Sequence, residues 1–372
     1  MIEKKNCMGC MACVEACPIK CISVKKNDYG FEERIIDSTK CIQCGRCDQV
    51  CQLETPIKLF DIEKMYVVAT KEKNHLTRST SSGIATEISQ RFIQSGGVVA
   101  GVGWSMEKGA HYYIAETEKE LEDFRGSKYV YPDVTGLYAS INEVIKTKRI
   151  LLIGLPCIVA ATKKYLNNDM DNLFCIDLIC HGAPQASFLK EHLQSKGFNC
   201  LPDQISFRKG EQYIVSAECD KKHYHAEHYK DLYLYGFLNG LIQTEYCFQC
   251  KYSYDKRPGD LTLGDAWKQK IMNQERTSLV AVNSVKGNQL YNLIKEEMYC
   301  VEWSLEEFGK SGNQLKGPTK RHDRQGVFKK KLKRDGFEVA ARKALKREMC
   351  VLQLRKKLSK AKKMIGGKIC DY

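Results

Sequence analysis

From about residue 61 the chain alternates short apolar runs with longer stretches whose apolar residues recur at helical spacing. The runs Met65–Ala69, Val98–Val102, Arg149–Ile153 and Leu173–Ile179 read as buried strands, and Gly83–Gln94, Val134–Lys146, Pro156–Leu166 and Gln185–Lys196 as helices between them. Strands alternating with amphipathic helices predict an α/β domain with a mostly parallel sheet. Residues 204–228 read as hairpin strands, and Leu261–Gly264 and Leu279–Val282 as further strands. Beyond about Ser304 polarity rises, and a Lys/Arg-rich helix is predicted from Phe337 to Met364. The first 60 residues behave differently: Tyr29–Ile36 is a short strand segment, and Pro56 opens the exit from a small module. Three regions follow, 1–60, 61–303 and 304–372.

The small module is organised by cysteines. Cys7, Cys10, Cys13 and Cys17, followed by Pro18, are repeated as Cys41, Cys44, Cys47 and Cys51 at an offset of 34 residues. Three thiolates at i, i+3 and i+6 can wrap three corners of an iron–sulfur cube, and backbone sterics keep the fourth corner out of their reach. In two-cluster ferredoxins the remote cysteine of each run serves the other cluster. The expected ligand sets are therefore Cys7, Cys10, Cys13, Cys51 and Cys41, Cys44, Cys47, Cys17, holding two 4Fe-4S clusters in an α+β ferredoxin-like domain. Zinc fits less well, since its sites take paired C-x-x-C motifs across a longer loop or a mixture with His. Gly9 and Gly45 lie inside the runs, where a larger side chain would crowd a cube. The second run ends Cys51-Gln52, without the proline of the first.

Composition adds a compartment and a charge asymmetry. Nineteen cysteines in a chain this long, with cluster ligands among them, point to a reducing, cytoplasmic setting. No signal peptide is expected at Met1, because charged residues lead straight into the first ligand. The longest apolar stretch, Ile150 to Ala161, is broken by Gly154 and Pro156 and falls short of the ~20 residues that span a bilayer. Residues 316–372 hold 20 Lys and Arg against 5 Asp and Glu, so the net +14 belongs to this basic helical tail and the remainder is close to neutral. Three readings of the tail are open: a solvated helix, a docking surface for an acidic electron carrier or an anionic membrane surface, and a nucleic-acid arm. Partner docking is favoured, because Leu345, Met349 and Leu352 share one helical face and Val351, Leu354, Leu358 and Ile365 another. No nucleic acid is expected, since aromatic residues that stack on bases are almost absent after Phe337.

Two turns of the α/β region carry further chemistry. At Gly154-Leu155-Pro156-Cys157 a strand ends and a helix begins, with Pro156 suited to the first helical position. One strand–helix unit later, Cys180-His181-Gly182 ends Leu173–Ile179 in the same way, and ligands collect at the carboxyl ends of such strands. Cys247 and Cys250 form a C-x-x-C ahead of Arg257. Cys157, Cys180, Cys247 and Cys250 thus form a candidate third 4Fe-4S site. Buried thiols beside a redox pair or zinc half-site are the alternative. Cys21, Cys175, Cys200, Cys219, Cys300, Cys350 and Cys370 show no partner pattern. His223, His225 and His228 lack a completing carboxylate or cysteine and read as surface histidines.

Several segments, taken in order, resemble the beta subunits of coenzyme F420 hydrogenase and dehydrogenase. They are Arg78-Ser79-Thr80-Ser81-Ser82-Gly83, Gly96-Gly97-Val98-Val99 with Gly101, Arg125-Gly126-Ser127-Lys128-Tyr129, Gly154-Leu155-Pro156-Cys157, Asp177 with Cys180-His181-Gly182, Phe207-Arg208, Cys247 to Cys250, Gly259-Asp260 and Gly264-Asp265-Ala266-Trp267. Ile158 after Cys157 and Ala266 before Trp267 depart from the family pattern. The resemblance implies FAD in the α/β domain, with Ser81, Ser82, Gly83, Ser127, Lys128, Gly154 and Pro156 as cofactor-binding residues. It also strengthens the third-cluster reading. No G-x-G-x-x-G opens a helix after a strand here, so a Rossmann site is not expected. The Ser81-Ser82-Gly83 helix start can offer N–H groups to a pyrophosphate, or it can be plain capping; Lys128 can supply charge to the flavin, or be a solvated surface lysine. His181 is the catalytic candidate, in proton balance during flavin reduction. The expected function is an iron–sulfur flavoprotein oxidoreductase relaying electrons between a ferredoxin-type carrier and FAD, with coenzyme F420 or another small organic substrate as the two-electron partner. The alternative is a non-catalytic electron-transfer subunit of a larger oxidoreductase complex.

Overall fold

The computed structural model describes residues 7–27, 32–72, 79–167, 170–266, 269, 271, 274, 276–311 and 315–366. Arg78, Trp267 and Cys370 lie outside these residues, as does the start of the strand expected at Tyr29. In the N-terminal module, α1 (Ala12–Ala16) and α2 (Arg46–Gln49) carry part of each cysteine run, and β1 (Ile22–Lys26) pairs antiparallel with β2 (Glu32–Ile36) between them. Gly9 and Gly45 hold φ of +71° and +72°, so the left-handed backbone itself requires glycine at both positions.

The remaining strands are β3 (Lys64–Thr70), β4 (Val98–Ser105), β5 (Gly109–Ala115), β6 (Ile150–Gly154), β7 (Leu173–Leu178), β8 (Gln204–Lys209), β9 (Gln212–Cys219), β10 (Lys222–Glu227), β11 (Leu261–Asp265), β12 (Ser278–Val282) and β13 (Met298–Glu302). Eight of them form one sheet in the order β13-β3-β12-β11-β7-β6-β4-β5. Its centre, β11-β7-β6-β4, is parallel, as the strand–helix alternation predicts. The flanks are antiparallel: β12, β3 and β13 on one side, and β5 on the other, where a tight turn at 106–108 returns the chain beside β4. The short apolar runs are continuous because helices cover both faces of the central strands.

The period-2 alternation of these strands sends two cores to opposite faces. Val99, Leu151, Phe174 and Ile176 meet Ile84, Ile88 and Phe92 of α3 (Ile84–Gln94). Val98, Ala100, Ile150, Leu152 and Cys175 face the other way, onto Tyr138 and Ile141 of α4 (Leu137–Val144) and Ile158, Val159 and Ala161 of α5 (Pro156–Tyr165). Each large side chain fully buried in these layers contributes roughly 1.5–3 kcal/mol. The second face also receives the N-terminal module, since Ala12, Cys13, Cys17, Cys21, Ile22 and Val50 belong to the same apolar cluster.

A second lobe is built on the sheet β10-β9-β8, the hairpin material expected from residues 204–228. It packs against α6 (Ala186–Ser195) and α7 (Leu232–Leu238). Helix α8 (Val285–Asn292) contributes Leu290 and Tyr291 to the α3 face of the main sheet, and α9 (Leu305–Ser311) follows β13. The long C-terminal helix α10 (Gln325–Gly366) is interrupted at Gly336, whose φ of +74° restarts it at Phe337. Residues 325–349 of the basic region are not a free tail: Phe328, Leu332, Phe337, Ala340, Ala344, Leu345 and Met349 are buried in the core of the second lobe. Of the two apolar stripes, the one carrying Leu345 and Met349 is covered, while Val351, Leu354 and Leu358 are exposed. Among the described residues no helix is long and apolar enough to cross a membrane.

Candidate metal centres

The crossed assignment of the N-terminal cysteines has a geometric counterpart. Cys7, Cys10, Cys13 and Cys51 line a single cavity, closed by Gly9, Met11, Arg34 and Gln52. Cys51 is brought there by α2, across the module from the other three. Arg34, reaching in from β2, lies against the Cys13 thiol. Burial pushes the Cys10 thiol up to about 12, with Cys7 and Cys13 adding to the penalty for a thiolate. Crowded, desolvated thiols of this kind ionise readily only beside a compensating cation, which iron supplies. Cys17, the remote residue of the first run, packs instead in one apolar cluster with Cys41 and Cys47 of the second. Cys21, for which the sequence offered no partner, lies 3.5 Å from Cys17 Sγ and also faces Cys41. Cys44 is exposed.

A third group of thiols forms where the parallel strands end. Cys157 sits in the first turn of α5, Cys180 two residues beyond β7, and Cys247 and Cys250 on a 3-10 turn at Glu245–Gln249 that folds back over both. The Cys157 thiol is raised well above its ordinary range by burial and by the neighbouring Cys250, Cys180 and Cys247; Cys180, similarly placed, is pushed up to about 12. Four cysteines that sequence spacing could not join are therefore mutual neighbours. The buried hydroxyls of Tyr112 and Tyr131 face these thiols and have no hydrogen-bond partner. Unpartnered donors beside grouped thiols suit a cluster whose sulfides accept hydrogen bonds. Among the described residues no three His, Cys, Asp or Glu side chains close around a single metal ion, as a mononuclear site requires.

A buried clamp fixes this region. Arg257 and Asp177 are fully buried, with Arg257 Nη2 donating to Asp177 Oδ1 at 2.5 Å and Nε at 3.0 Å. The same guanidinium donates to the carbonyls of Tyr252, Tyr254 and Leu178. The end of β7, which leads to Cys180, is thereby tied to the loop that follows Cys250.

The residues expected at a flavin divide into two kinds. Ser82 is buried, and both its N–H and its hydroxyl donate to Ser278 Oγ of β12, at 3.2 and 2.7 Å; Ser81 donates to Thr277 O at 2.9 Å. These hydroxyls pin the loop before α3 to the sheet. Gly83, at φ +79°, starts that helix. Across from it the turn Arg125–Lys128 approaches closely, with Thr80 Oγ1 and Ser127 Oγ 3.2 Å apart. Lys128 is not a freely solvated lysine, since its Nζ donates to the carbonyls of Asp123 and Arg125, and desolvation lowers its pKa to about 8 against the pull of Asp123. Arg125 Nη1 is buried without a partner. Beyond Lys128, Tyr129 adjoins Arg208, Arg208 Nη1 donates to Asp265 Oδ2 at 2.7 Å, and Asp265 faces His181. His181 is reached by solvent yet surrounded by protein on most sides; desolvation lowers its pKa despite Asp265, so the ring is neutral at pH 7. A polar band thus runs from the Arg125–Lys128 turn to Cys180.

Two stretches of the chain match known families. Residues 147–307 match the model for the C terminus of the coenzyme F420 hydrogenase/dehydrogenase beta subunit, and residues 6–54 match a 4Fe-4S dicluster domain. The chain belongs to the family of coenzyme F420 hydrogenase/dehydrogenase beta subunits. It is similar to a subunit of the F420H2 dehydrogenase of Methanosarcina mazei, at 21% identity over 81% of this chain and 86% of that protein. It is also similar to an uncharacterized protein of Methanocaldococcus jannaschii, at 23% identity over 46% of this chain and 56% of that one. A chain of the F420-reducing NiFe hydrogenase complex from Methanosarcina barkeri shares the fold, with a TM-score of 0.50 at 13% identity over 78% of this chain and 94% of that one. The family member described here therefore carries a 4Fe-4S dicluster module ahead of the beta-subunit body.

Several residues of this family member that shape the sites were missed in the sequence. Tyr112 and Tyr131 had no motif, and Arg125 was noticed only as part of a segment. Gln52 carried a signal, as the non-proline that breaks the repeat. Of the cysteines without a pattern, Cys200 and Cys219 lie 3.1 Å apart, Cys300 contacts Tyr291 Oη at 2.9 Å and Cys175 is buried. His223 and His225 are exposed and His228 is half-buried.

Proposed function

We propose that this chain is an iron–sulfur flavoprotein oxidoreductase in which three 4Fe-4S clusters pass electrons between a ferredoxin-type carrier or partner subunit and FAD. The observation that carries this reading is the adjacency of Cys10 and Cys157. Cys10 belongs to the N-terminal set facing the body, Cys157 to the third set, and their thiols are close enough to perturb one another. Clusters held by Cys17, Cys41, Cys44, Cys47, then by Cys7, Cys10, Cys13, Cys51, then by Cys157, Cys180, Cys247, Cys250 form one path from the module into the body. FAD, when bound, supplies the exchange between single electrons and a two-electron, hydride-type step.

The protein residues have separate tasks. Arg125 offers an unpartnered guanidinium N–H, Lys128 an amine and Ser127 a hydroxyl to the pyrophosphate; Gly83 and the start of α3 face them. Ser81 and Ser82 act by holding that helix start on β12. Gly154 and Pro156 keep the turn ahead of Cys157 compact, because a Cβ at Gly154 would collide with Tyr112 Oη. His181, neutral and beside Cys180, can take up the proton that accompanies reduction at the strand ends. The two-electron partner is coenzyme F420 or another small organic molecule, as the name of the Methanosarcina mazei relative suggests.

The test is to purify the protein without oxygen, extract and identify the flavin, and follow flavin absorbance on adding reduced F420 or reduced ferredoxin. Stoichiometric FAD with bleaching by at least one donor is expected. A flavin-free protein holding all its iron would leave only the non-catalytic, electron-wiring subunit.

A further inference from the structure

The two cysteine runs are repeats, yet the residue after each terminal cysteine has an opposite environment: Pro18 is exposed, whereas Gln52 is 1% exposed. A buried carboxamide must satisfy an acceptor and two N–H donors, and the partners of Gln52 are distinctive. Its Nε2 donates to the carbonyl of Cys157 at 2.8 Å and also reaches the Cys10 thiol. Its Oε1 accepts from Tyr252 Oη at 2.5 Å, two residues past Cys250. Its own carbonyl accepts from Lys251 Nζ at 2.9 Å. One side chain therefore touches a cysteine of the N-terminal group, the backbone of a cysteine in the third group and the loop following a second member of that group. A proline at 52 could make none of the side-chain contacts.

We infer that Gln52 is a positioning residue at the junction between the two groups: it fixes the register of Cys10 against Cys157, and its N–H raises the reduction potential of the Cys7–Cys10–Cys13–Cys51 cluster. This rests on the three-cluster reading above. A donor aimed at a ligand sulfur stabilises the reduced, more negative state, and outer-shell hydrogen bonds of this kind set cluster potentials. Facing the body, that cluster becomes the better acceptor of the N-terminal pair, and electrons collect next to Cys157. The asymmetry of the repeat then has a function. The pocket with Pro18 at its edge faces solvent and a carrier, and the one with Gln52 faces the flavin-binding body.

The test uses the full anaerobic protein with Gln52→Met, which keeps the length of the side chain and removes both donors, and Tyr252→Phe, which keeps the donors and frees the carboxamide. Iron and acid-labile sulfide are counted in each, and cluster potentials are measured by EPR-monitored redox titration. Gln52→Met is expected to keep its iron while one cluster shifts negative, its oxidised-to-reduced ratio at fixed potential rising roughly tenfold, which is 59 mV for one electron. Tyr252→Phe should shift the same cluster in the same direction by less. Unmoved potentials at unchanged iron overturn the role of Gln52, because a merely structural glutamine would alter stability alone. Should Gln52→Met lose iron, Tyr252→Phe decides, and no shift there overturns the inference. A wild-type count near eight irons rather than about twelve would instead remove the third cluster, a different failure.

Discussion

Replacing Arg257 by Leu tests the buried clamp beneath the third thiol group. The guanidinium is fully buried and donates to Asp177, to Thr262 Oγ1 and to three backbone carbonyls. Removing it leaves the Asp177 carboxylate, itself fully buried, with only the Gly259 N–H at 2.7 Å and the Thr262 hydroxyl at 2.9 Å. Breaking a buried ion pair from one side costs about 3–5 kcal/mol, chiefly for the charge left behind. Against a total stability of roughly 5–15 kcal/mol, this is a large fraction. We expect a loss of about 4 kcal/mol in urea unfolding followed by circular dichroism. The double variant Asp177→Leu/Arg257→Leu should lose far less than the sum of the two single variants, since the orphaned charge is then gone. The third thiol group, which depends on the clamp for the spacing of Cys180 and Cys250, should lose iron in the single variant. A loss under about 1 kcal/mol, with additive singles, would show that water reaches the pair and that the clamp does not hold the loops.

Three further outcomes are expected. His192 is buried, with Nε2 donating to Asp231 at 2.7 Å and Nδ1 to Glu338 at 3.0 Å, a geometry that requires the imidazolium. Burial opposes that charge, but Asp231 and Glu338 outweigh it and raise the His192 pKa, while Glu338, despite its own burial, is lowered to about 2. The histidine contribution is therefore complete below about pH 6.5 and fades as pH rises through the elevated value; the glutamate contribution is complete above about pH 4.5 and fades toward pH 2. The urea-midpoint difference between wild type and His192→Phe should accordingly shrink from pH 6 to pH 9, and a constant difference would rule out a charged clasp. Leu345→Ala, at a fully buried position of α10, should cost about 2–5 kcal/mol by the same assay, whereas Leu358→Ala, 63% exposed, should cost under about 0.5 kcal/mol. Equal effects would mean that the basic helix does not pack as described. Gly154→Ala should destabilise by about 1–3 kcal/mol, because the new Cβ meets Tyr112 Oη, and Tyr112→Phe in the same chain should recover part of the loss.

The strands and helices of the α/β body were legible wherever burial on both faces left continuous apolar runs. Ile150–Gly154, Leu173–Leu178 and Ser278–Val282 appear close to where hydrophobicity placed them. What the pattern hid were elements of mixed character. Gly109–Ala115 carries His111 and two tyrosines on an edge strand, Met298–Glu302 is an edge strand with a largely exposed end, and Ile22–Lys26 is polar on one side. The antiparallel flanks followed from these omissions. The basic segment misled through its charge: Phe328, Phe337 and Leu345 form a stripe that overrides the surrounding lysines, and net charge does not report packing. In the sites, the eight N-terminal cysteines were visible from spacing because each run is local. Cys157, Cys180 and the Cys247–Cys250 pair are joined only by the topology of β6, β7 and the turn after α7, which no local spacing encodes. Partnering was invisible in principle for Ser82 and Lys128, whose polar atoms the fold directs inward.

The central claim is that this chain holds three iron–sulfur clusters in one connected path meeting at Cys157. It is tested most directly by counting iron and acid-labile sulfide per chain in protein purified without oxygen, beside the Cys247→Ser/Cys250→Ser variant. The account predicts about twelve irons in the wild type and about eight in the variant. A count of about eight in both would contradict the path into the body, and a zinc-loaded, colourless protein would contradict the account from its first cysteine onward.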